Sequence, residues 1–137
     1  MSNIGSTIRA LKGLRSLSPA SSEAIAEAEK QLGLKFSDEF KQYLLEFGVI
    51  YSEAVQLKGI AKTKGYNVAA FTLMAREVWP EIPRNFYVIS ETGYNGIIIC
   101  QNENGFVYEC RPNNEIIQIA SSLSEYIESE EKKIFGS

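Results

Sequence analysis

Residues 86–119 read FYVISETGYNGIIICQNENGFVYECRPNNEIIQI, and this stretch decides the fold of the chain. Four short runs of β-branched and aromatic residues alternate in it with the turn formers Gly, Asn and Pro. Short strands that are joined by short turns pair with their neighbours along the chain, so the stretch predicts an antiparallel meander. The four predicted strands are residues 86–90, 97–101, 106–110 and 115–119.

The two cysteines of the chain, Cys100 and Cys110, lie on neighbouring predicted strands. A connecting turn of two or four residues would point them to opposite faces of the sheet, whereas a three-residue turn would put them on one face with an offset. Free buried thiols are the expected state, and a disulfide is the alternative that the offset geometry leaves open. Two cysteines are too few for a four-thiolate zinc site, and they favour a reducing compartment.

Helical patterns flank the meander on both sides. Upstream, Ser37 can cap a helix that has an acidic first turn and apolar residues at helical spacing as far as Gly48. Downstream, Ser122 and Glu125 form a capping box, and the helix that follows carries Leu123, Tyr126, Ile127 and Ile134 on one face. We therefore expect an α+β domain, in which a meander of about four to six strands packs with N-terminal and C-terminal helices. The predicted core comprises Phe40, Tyr43, Leu44, Phe47, Val88, Ile98, Val107, Ile117, Leu123 and Ile127.

Other segments upstream of the meander also carry signals of regular structure. Ser18 before Pro19 is typical of a helix start, and apolar residues at helical spacing continue from there to Gly33. Asn67 can cap a further helix, and residues 55–57 predict a short strand before it.

Residues 1–22 carry three cations and no acid, and their apolar residues recur at helical spacing. We expect an amphipathic helix that packs on the domain, with an organelle transit peptide or a membrane-surface helix as the alternatives. No run reaches the roughly 18 apolar residues of a membrane span, and the apolar region of a secretion signal is missing, so we expect a cytoplasmic protein. The apolar residues are Ile4, Ile8, Leu11 and Leu14, and the cations are Arg9, Lys12 and Arg15.

The composition is that of one globular domain over residues 1–137. With 45% hydrophobic and 11% aromatic residues, a chain of this length can bury one continuous core. Its 14 Lys and Arg against 17 Asp and Glu give a formal net charge of −3, which argues against a dedicated nucleic-acid binder. The sequence contains no histidine, and this excludes Ser-His-Asp and Cys-His catalytic pairs, histidine bases and histidine metal ligands.

The acidic residues form no recognisable catalytic or metal-binding motif. Glu77 and Glu81 flank Trp79 and Pro80, but Pro80 should end the preceding helix, so we interpret both as solvated acids. Asp38 is the one aspartate, and neither Asp-x-Asp nor EF-hand spacing occurs. We therefore expect no enzymatic activity, no metal site and no cofactor.

Two further patterns have a structural and a functional interpretation. Residues 93–96, Gly-Tyr-Asn-Gly, connect two predicted strands, so we expect a turn; a phosphate cradle would need a helix after them. Lys58, Lys62 and Lys64 near Tyr66 are interpreted as a solvated edge, with a small nucleic-acid patch as the alternative.

The order of elements resembles the SUKH superfamily, which includes Smi/Knr-type regulators of fungal cell-wall assembly and bacterial immunity proteins against polymorphic toxins. Residues 33–48 are similar to the family's segment of Leu-Pro, an aromatic-Lys pair, an apolar pair and Asn-Gly, with Ser37 at the usual Pro and Phe47 at the usual Asn. Residues 104–109 in the meander and 119–127 at the last helix start resemble two more family segments. These residues pack and cap, so the resemblance implies the fold more directly than any one activity.

The resemblance implies a non-enzymatic α+β domain, and the bacterial branch binds and neutralises a toxin domain, frequently a nuclease. An acidic balance suits a basic nuclease surface. Two other classes stay open. One is a regulatory or scaffold module of the same fold with another protein partner, and the other is an enzyme or small-ligand binder that uses a cleft between the helices and the meander. We expect a monomer or weak dimer that binds neither nucleic acid nor membrane.

Several predicted loops and element ends combine acidic and aromatic residues. Carboxylates can occupy the cationic surface that a toxin uses for phosphates, and exposed aromatic side chains can supply buried anchor area. Each aromatic residue has packing in the core as its alternative role. The candidate partner-binding residues are Tyr51, Glu53, Trp79, Glu81, Glu91, Tyr94 and Asn95.

Overall fold

A computed structural model of the chain describes residues 3–17 and 19–136. The described residues form five helices and seven strands, and the last four strands follow one another without an intervening helix. The helices are α1 (Ile4–Arg9), α2 (Ser22–Leu32), α3 (Asp38–Glu46), α4 (Val68–Val78) and α5 (Leu123–Phe135), with a 3-10 turn at Lys64–Tyr66. The strands are β1 (Arg15–Ser16), β2 (Ile50–Tyr51), β3 (Gln56–Leu57), β4 (Tyr87–Glu91), β5 (Ile98–Gln101), β6 (Val107–Cys110) and β7 (Ile116–Ala120).

The meander is the main sheet of the molecule. Its strands lie in the order β4-β5-β6-β7 and every pair is antiparallel, which confirms the sequence-based prediction. The turn between β4 and β5 contains Asn95 at φ +53°, between Gly93 and Gly96, whose φ values are also positive. A left-handed conformation is easily reached by Gly and tolerated by Asn, so these residues permit the reversal of the chain.

A second, smaller sheet was not predicted as such from the sequence. It contains β1, β2 and β3, each two residues long, in antiparallel order. Hydrogen bonds join its last strand to β4: Ser90 Oγ donates to the Gln56 carbonyl at 2.7 Å, and the Lys58 amide donates to the Ile89 carbonyl at 2.8 Å. The small sheet is thereby fixed beside the free edge of β4.

The meander buries apolar residues on both faces. One face, with Tyr87, Ile99 and Val107, belongs to the main core that the helices share. The other face, with Val88 and the two cysteines, packs in a second cluster that includes Ala75 and Ile82. Of the residues predicted for the core, Ile98 and Ile117 are half-buried, and the others are buried.

The helix caps show where local sequence signals hold. Ser37, Asn67 and Ser122 each accept a backbone amide hydrogen bond at the start of α3, α4 and α5, as predicted. The predicted start of α2 is wrong, because the helix begins at Ser22 with Ser21 as its cap; Ser18 lies outside the described residues. Ile134 on α5 is 59% exposed, because the end of this helix extends past the core.

The two cysteines adopt the offset geometry on one face of the sheet. Cys100 lies opposite Tyr108 and Cys110 opposite Ile98, so both side chains point into the second cluster. Both thiols are buried and free. Burial raises the pKa of the Cys100 thiol, and the neighbouring Cys110 adds to this effect.

The first helix packs on the domain, as the sequence predicted. Ile4, Ile8 and Leu11 are buried in the main core. Beyond α1, the Lys12 ammonium lies 4.2 Å from the centroid of the Phe135 ring at the end of α5. None of the helices within residues 3–17 and 19–136 is long and apolar enough to cross a membrane.

Candidate protein-binding site

An open cleft of about 510 Å3 lies between the loop that joins β2 to β3, the end of β4 and the helix α5. Its lining residues are 52–56, 90–93, Tyr126 and Glu130. Three of them are glutamates, Glu53, Glu91 and Glu130, and none is Lys or Arg. We call this feature the acidic cleft, because the ionisable side chains that line it are those of glutamate and tyrosine, which are negative when they ionise.

Glu53 is held in position by a tight turn. The Ser52 amide donates to the Val55 carbonyl at 2.8 Å, and the Val55 amide donates back to Ser52 Oγ at 2.9 Å. The Glu53 amide donates to the Lys12 carbonyl at 3.1 Å. At Gly13, where φ is +70°, a Cβ atom would lie 3.2 Å from Glu53 Cγ. The backbone of Glu53 is therefore fixed, while the residue as a whole is exposed.

Glu91 is positioned by a buried lysine. The Lys58 ammonium lies 2.7 Å from Glu91 Oε2, donates to the Gly65 carbonyl and lies 3.9 Å from the centroid of the Phe71 ring. Lys58 is 5% exposed, so the interpretation of this residue as part of a solvated edge is wrong. The opposite charge, the carbonyl and the aromatic face replace the water that a buried ammonium loses.

The α5 side of the acidic cleft combines a buried phenol with a carboxylate. Burial raises the pKa of Tyr126 well above its ordinary value; the nearby Glu130 carboxylate acts in the same direction, and a hydrogen bond with Ser90 opposes it. Tyr126 is therefore a neutral hydrogen-bonding group at physiological pH. Glu130 forms an ion pair with Lys133 at 2.8 Å.

A pair of tyrosines adjoins Glu91. The rings of Tyr51 and Tyr66 pack edge to face, with centroids 5.6 Å apart. Burial and the contact with Tyr66 raise the pKa of Tyr51 to about 12. Both residues line a small cavity of about 30 Å3 together with Lys58 and Glu91. Tyr51 is half-buried and Tyr66 is 41% exposed, so the pair offers aromatic surface next to the acidic cleft.

Tyr94 and Asn95 follow the acidic cleft directly along the chain. Gly93 lines the cleft, and Tyr94 is 68% exposed. The Tyr94 amide donates to Thr92 Oγ1 at 3.1 Å, and the Thr92 amide donates to the Ile97 carbonyl at 3.2 Å. These hydrogen bonds close the turn and leave the Tyr94 ring accessible.

Trp79 and Glu81 lie elsewhere. Trp79 is half-buried against the second cluster, and its Nε1 is buried without a hydrogen-bond partner among the described residues. Neither residue is among those that line the acidic cleft. The structure thus brings Glu53 and Glu91 together, with Tyr51, Tyr94 and Asn95 nearby, and keeps Trp79 and Glu81 apart from them.

Sequence reasoning missed several residues of this site. Tyr126 and Glu130 are four residues apart on α5, so the helical period could have placed them on one face. No comparable signal marks Lys58 or Ser90, because their roles depend on contacts with residues distant in sequence.

The ionisable groups that line the acidic cleft are three carboxylates and a phenol. Carboxylates accept charge-assisted hydrogen bonds from Arg and Lys, and the Arg fork can bridge two acceptors. Within residues 3–17 and 19–136, no group of three or more Cys, Asp or Glu side chains is placed to hold a metal ion. Carboxylates in such a cleft are able to accept hydrogen bonds from Arg or Lys side chains.

Comparison with known families assigns the chain. A family model described as SUKH_5, SMI1-KNR4 cell-wall, matches residues 1–132. The match includes every residue that lines the acidic cleft. No curated protein matches the chain.

Proposed function

The chain belongs to the SUKH family, in the group described as SMI1-KNR4 cell-wall, and on this basis we propose that it is a protein-binding domain without enzymatic activity. More specifically, we propose an immunity protein that binds a cognate toxin domain and thereby neutralises it. The toxin acts on a nucleic acid and therefore presents a cationic surface.

The observation that carries this proposal is the acidic cleft. Glu53, Glu91 and Glu130 place three carboxylates on one concave surface, next to the exposed ring of Tyr94. Glu91 and Glu130 are paired with Lys58 and Lys133, so Glu53 is the carboxylate on which the charge argument mainly rests. Complementary charge speeds the encounter of two proteins and selects the partner, and an aromatic residue at the contact supplies binding energy. A surface built to bind phosphates is complementary to this arrangement.

Two ionisable groups in and beside the acidic cleft have structural contacts. Tyr126 is buried, and burial raises the pKa of its phenol. Lys58 is held by Glu91, Gly65 and Phe71, so its ammonium is committed to a structural contact.

A regulatory or scaffold module is the second candidate, and the family description itself favours it, because it refers to cell-wall proteins. The same acidic cleft would then take a basic segment of another protein. The genes beside this one discriminate the two candidates, since an adjacent toxin gene favours immunity.

The test is a search of the adjoining genes for a toxin domain, co-expression with that domain, and calorimetric titration of the purified pair; the absence of such a gene favours the second candidate. We expect the intact protein to protect the cells. We expect Glu53→Lys and Tyr94→Ala to weaken the complex by about 2 kcal/mol or more, and raised salt to weaken it further.

The matched control is Glu81→Lys, the same change at an exposed glutamate away from the acidic cleft. It should leave the affinity nearly unchanged. Equal affinities for the wild type, Glu53→Lys and Tyr94→Ala would place the interface elsewhere, and turnover of a substrate by the purified protein would contradict the non-enzymatic role.

A further inference from the structure

The last strand of the meander is an uncharged edge. β7 pairs with β6 on one side and ends the four-stranded sheet on the other. Its five residues, Ile-Ile-Gln-Ile-Ala, include neither a charge nor a proline. Monomeric proteins usually protect an edge strand with Lys, Pro or a bulge, because its free amides and carbonyls pair readily with another strand.

The bulge in this region leaves the first part of the edge regular. Tyr108 lies opposite Gln118, whereas Val107 lies opposite Ala120, so Ile119 is the extra residue on β7. The irregularity therefore falls at the C-terminal end of the strand. Residues 116–118 keep a regular register with β6.

The hydrogen-bond alternation shows which groups of β7 point outward. The Arg111 amide donates to the Glu115 carbonyl at 2.9 Å, so these two residues form a hydrogen-bonded pair. Such pairs alternate along an antiparallel ladder, so the next one is Glu109 with Ile117. The amides and carbonyls of Ile116 and Gln118 then point away from β6.

We propose that β7 pairs in antiparallel fashion with β7 of a second copy of this chain, about a two-fold axis at Ile117. In this register the outward groups of Ile116 in one copy meet those of Gln118 in the other. Ile117 lies opposite its own counterpart, and Glu115 lies opposite Ile119. No like charges face each other across the pair, so the strand is complementary to itself.

The side chains and the position of the edge support this dimer. Ile116 is 37% exposed and Ile119 is 36% exposed, so pairing covers apolar surface that a monomer leaves in water. β4 forms the other end of the meander, and the acidic cleft adjoins it. None of the β7 residues lines the acidic cleft, so the inference stands independently of the proposed function.

The first test is the mass in solution. By sedimentation equilibrium, we expect the average mass to rise from 15.3 kDa toward twice that value as the protein concentration approaches several hundred micromolar. A weak dimer is expected because a short strand buries less than a standard interface. In NMR spectra, the amide signals of Ile116 and Gln118 should shift with concentration. A monomer at every concentration would overturn the proposal.

Variants of Gln118 test the register. Gln118→Pro removes an amide that points away from β6, and an edge strand tolerates proline at such a position. Gln118→Lys adds a charge at the same exposed position. Both should abolish the rise in mass, while Gln31→Lys, at an exposed site on α2, should leave it unchanged. Thermal melting confirms that each variant is folded. A dimer that survives both Gln118 variants would show that another surface mediates association.

Discussion

Lys58 is the side chain that ties the candidate interface to the core. Its ammonium contacts Glu91, the Gly65 carbonyl and the Phe71 ring, which come from three separate parts of the chain. The Glu91 side chain remains 48% exposed, whereas that of Lys58 is 6% exposed. The glutamate therefore keeps much of its hydration, and the lysine depends on its protein partners.

Replacing Glu91 should consequently affect stability as well as binding. In Glu91→Gln the Lys58 ammonium loses its counter-charge, and we expect the free energy of unfolding to fall by about 1–3 kcal/mol. Urea denaturation measures the change, and Lys58→Met in the Glu91→Gln background should recover part of it. Glu103→Gln, at an exposed turn, is the control. Equal stability of Glu91→Gln and the wild type would show that the ion pair contributes nothing.

Two adjacent leucines on α3 provide a matched test of the core. Leu44 is fully buried, whereas Leu45 is 46% exposed. We expect Leu44→Ala to lower the free energy of unfolding by roughly 2–5 kcal/mol, because it leaves a cavity among buried neighbours. Leu45→Ala should change it by about 0.5 kcal/mol or less. Similar losses at the two positions, measured by urea denaturation, would contradict this assignment of the buried face.

At the scale of elements, α3 and α5 are joined by a long-range cap. The Glu39 carboxylate accepts hydrogen bonds from the Leu123 amide at 2.6 Å, from the Ser124 amide at 3.1 Å and from Ser124 Oγ at 2.6 Å. The first amides of a helix lack partners within it, and the helix dipole favours a negative group there. Glu39 thus adds to the local cap that Ser122 provides.

Glu39→Gln should loosen the start of α5. The neutral amide accepts these hydrogen bonds less strongly than the carboxylate, so we expect a loss of about 1–2 kcal/mol in the free energy of unfolding. Hydrogen exchange of the amides in the first turn of α5 should also become faster. The control is Asp38→Asn, at the residue next to Glu39. The Asp38 carboxylate lies 3.9 Å from the Lys41 ammonium and is exposed, so its replacement should have a smaller effect. Unchanged exchange rates in Glu39→Gln would refute the cap.

The elements that could be predicted from sequence are those with local signals. Ser37, Asn67 and Ser122 mark helix starts by their own side chains, and residues 86–119 pair with their sequence neighbours. The small sheet has strands of two residues, and Arg15 of β1 lies opposite Tyr51 of β2. The two residues of such a pair are far apart in the sequence, so the local pattern of residues around either one does not predict the pairing.

The candidate site also has one part that the sequence predicted and another that it did not. Glu53 and Glu91 could be selected from sequence as acids near predicted turns. Their meeting in one cleft depends on hydrogen bonds between β3 and β4, and the contribution of α5 depends on where that helix packs. Trp79 was selected because aromatic residues are common in interfaces, but its ring packs against the second cluster. The residue type alone therefore does not distinguish a core residue from an interface residue.

Three buried phenols make the stability of the molecule sensitive to high pH. Burial is the main cause that raises the pKa of Tyr43, Tyr87 and Tyr126. An unfolded tyrosine ionises near about pH 10, so above that pH the unfolded chain releases protons that the folded chain keeps. The free energy of unfolding should therefore lose the contribution of these groups as the pH rises above about 10.

Urea denaturation at a series of alkaline pH values measures this dependence. Tyr126→Phe removes one of the three groups, so the decline in stability should become less steep than in the wild type. An identical decline in both proteins would show that Tyr126 does not contribute.

The acidic cleft draws its lining from residues 52–56, from residues 90–93 and from α5 near the end of the sequence. During synthesis the N-terminal parts leave the ribosome first, so a nascent chain that stops before Leu123 still lacks Tyr126 and Glu130. If the proposed binding takes place in this cleft, it requires α5, whose residues are synthesised after all the other lining residues. A truncated chain that lacks α5 would then not compete with the full-length chain for the proposed partner.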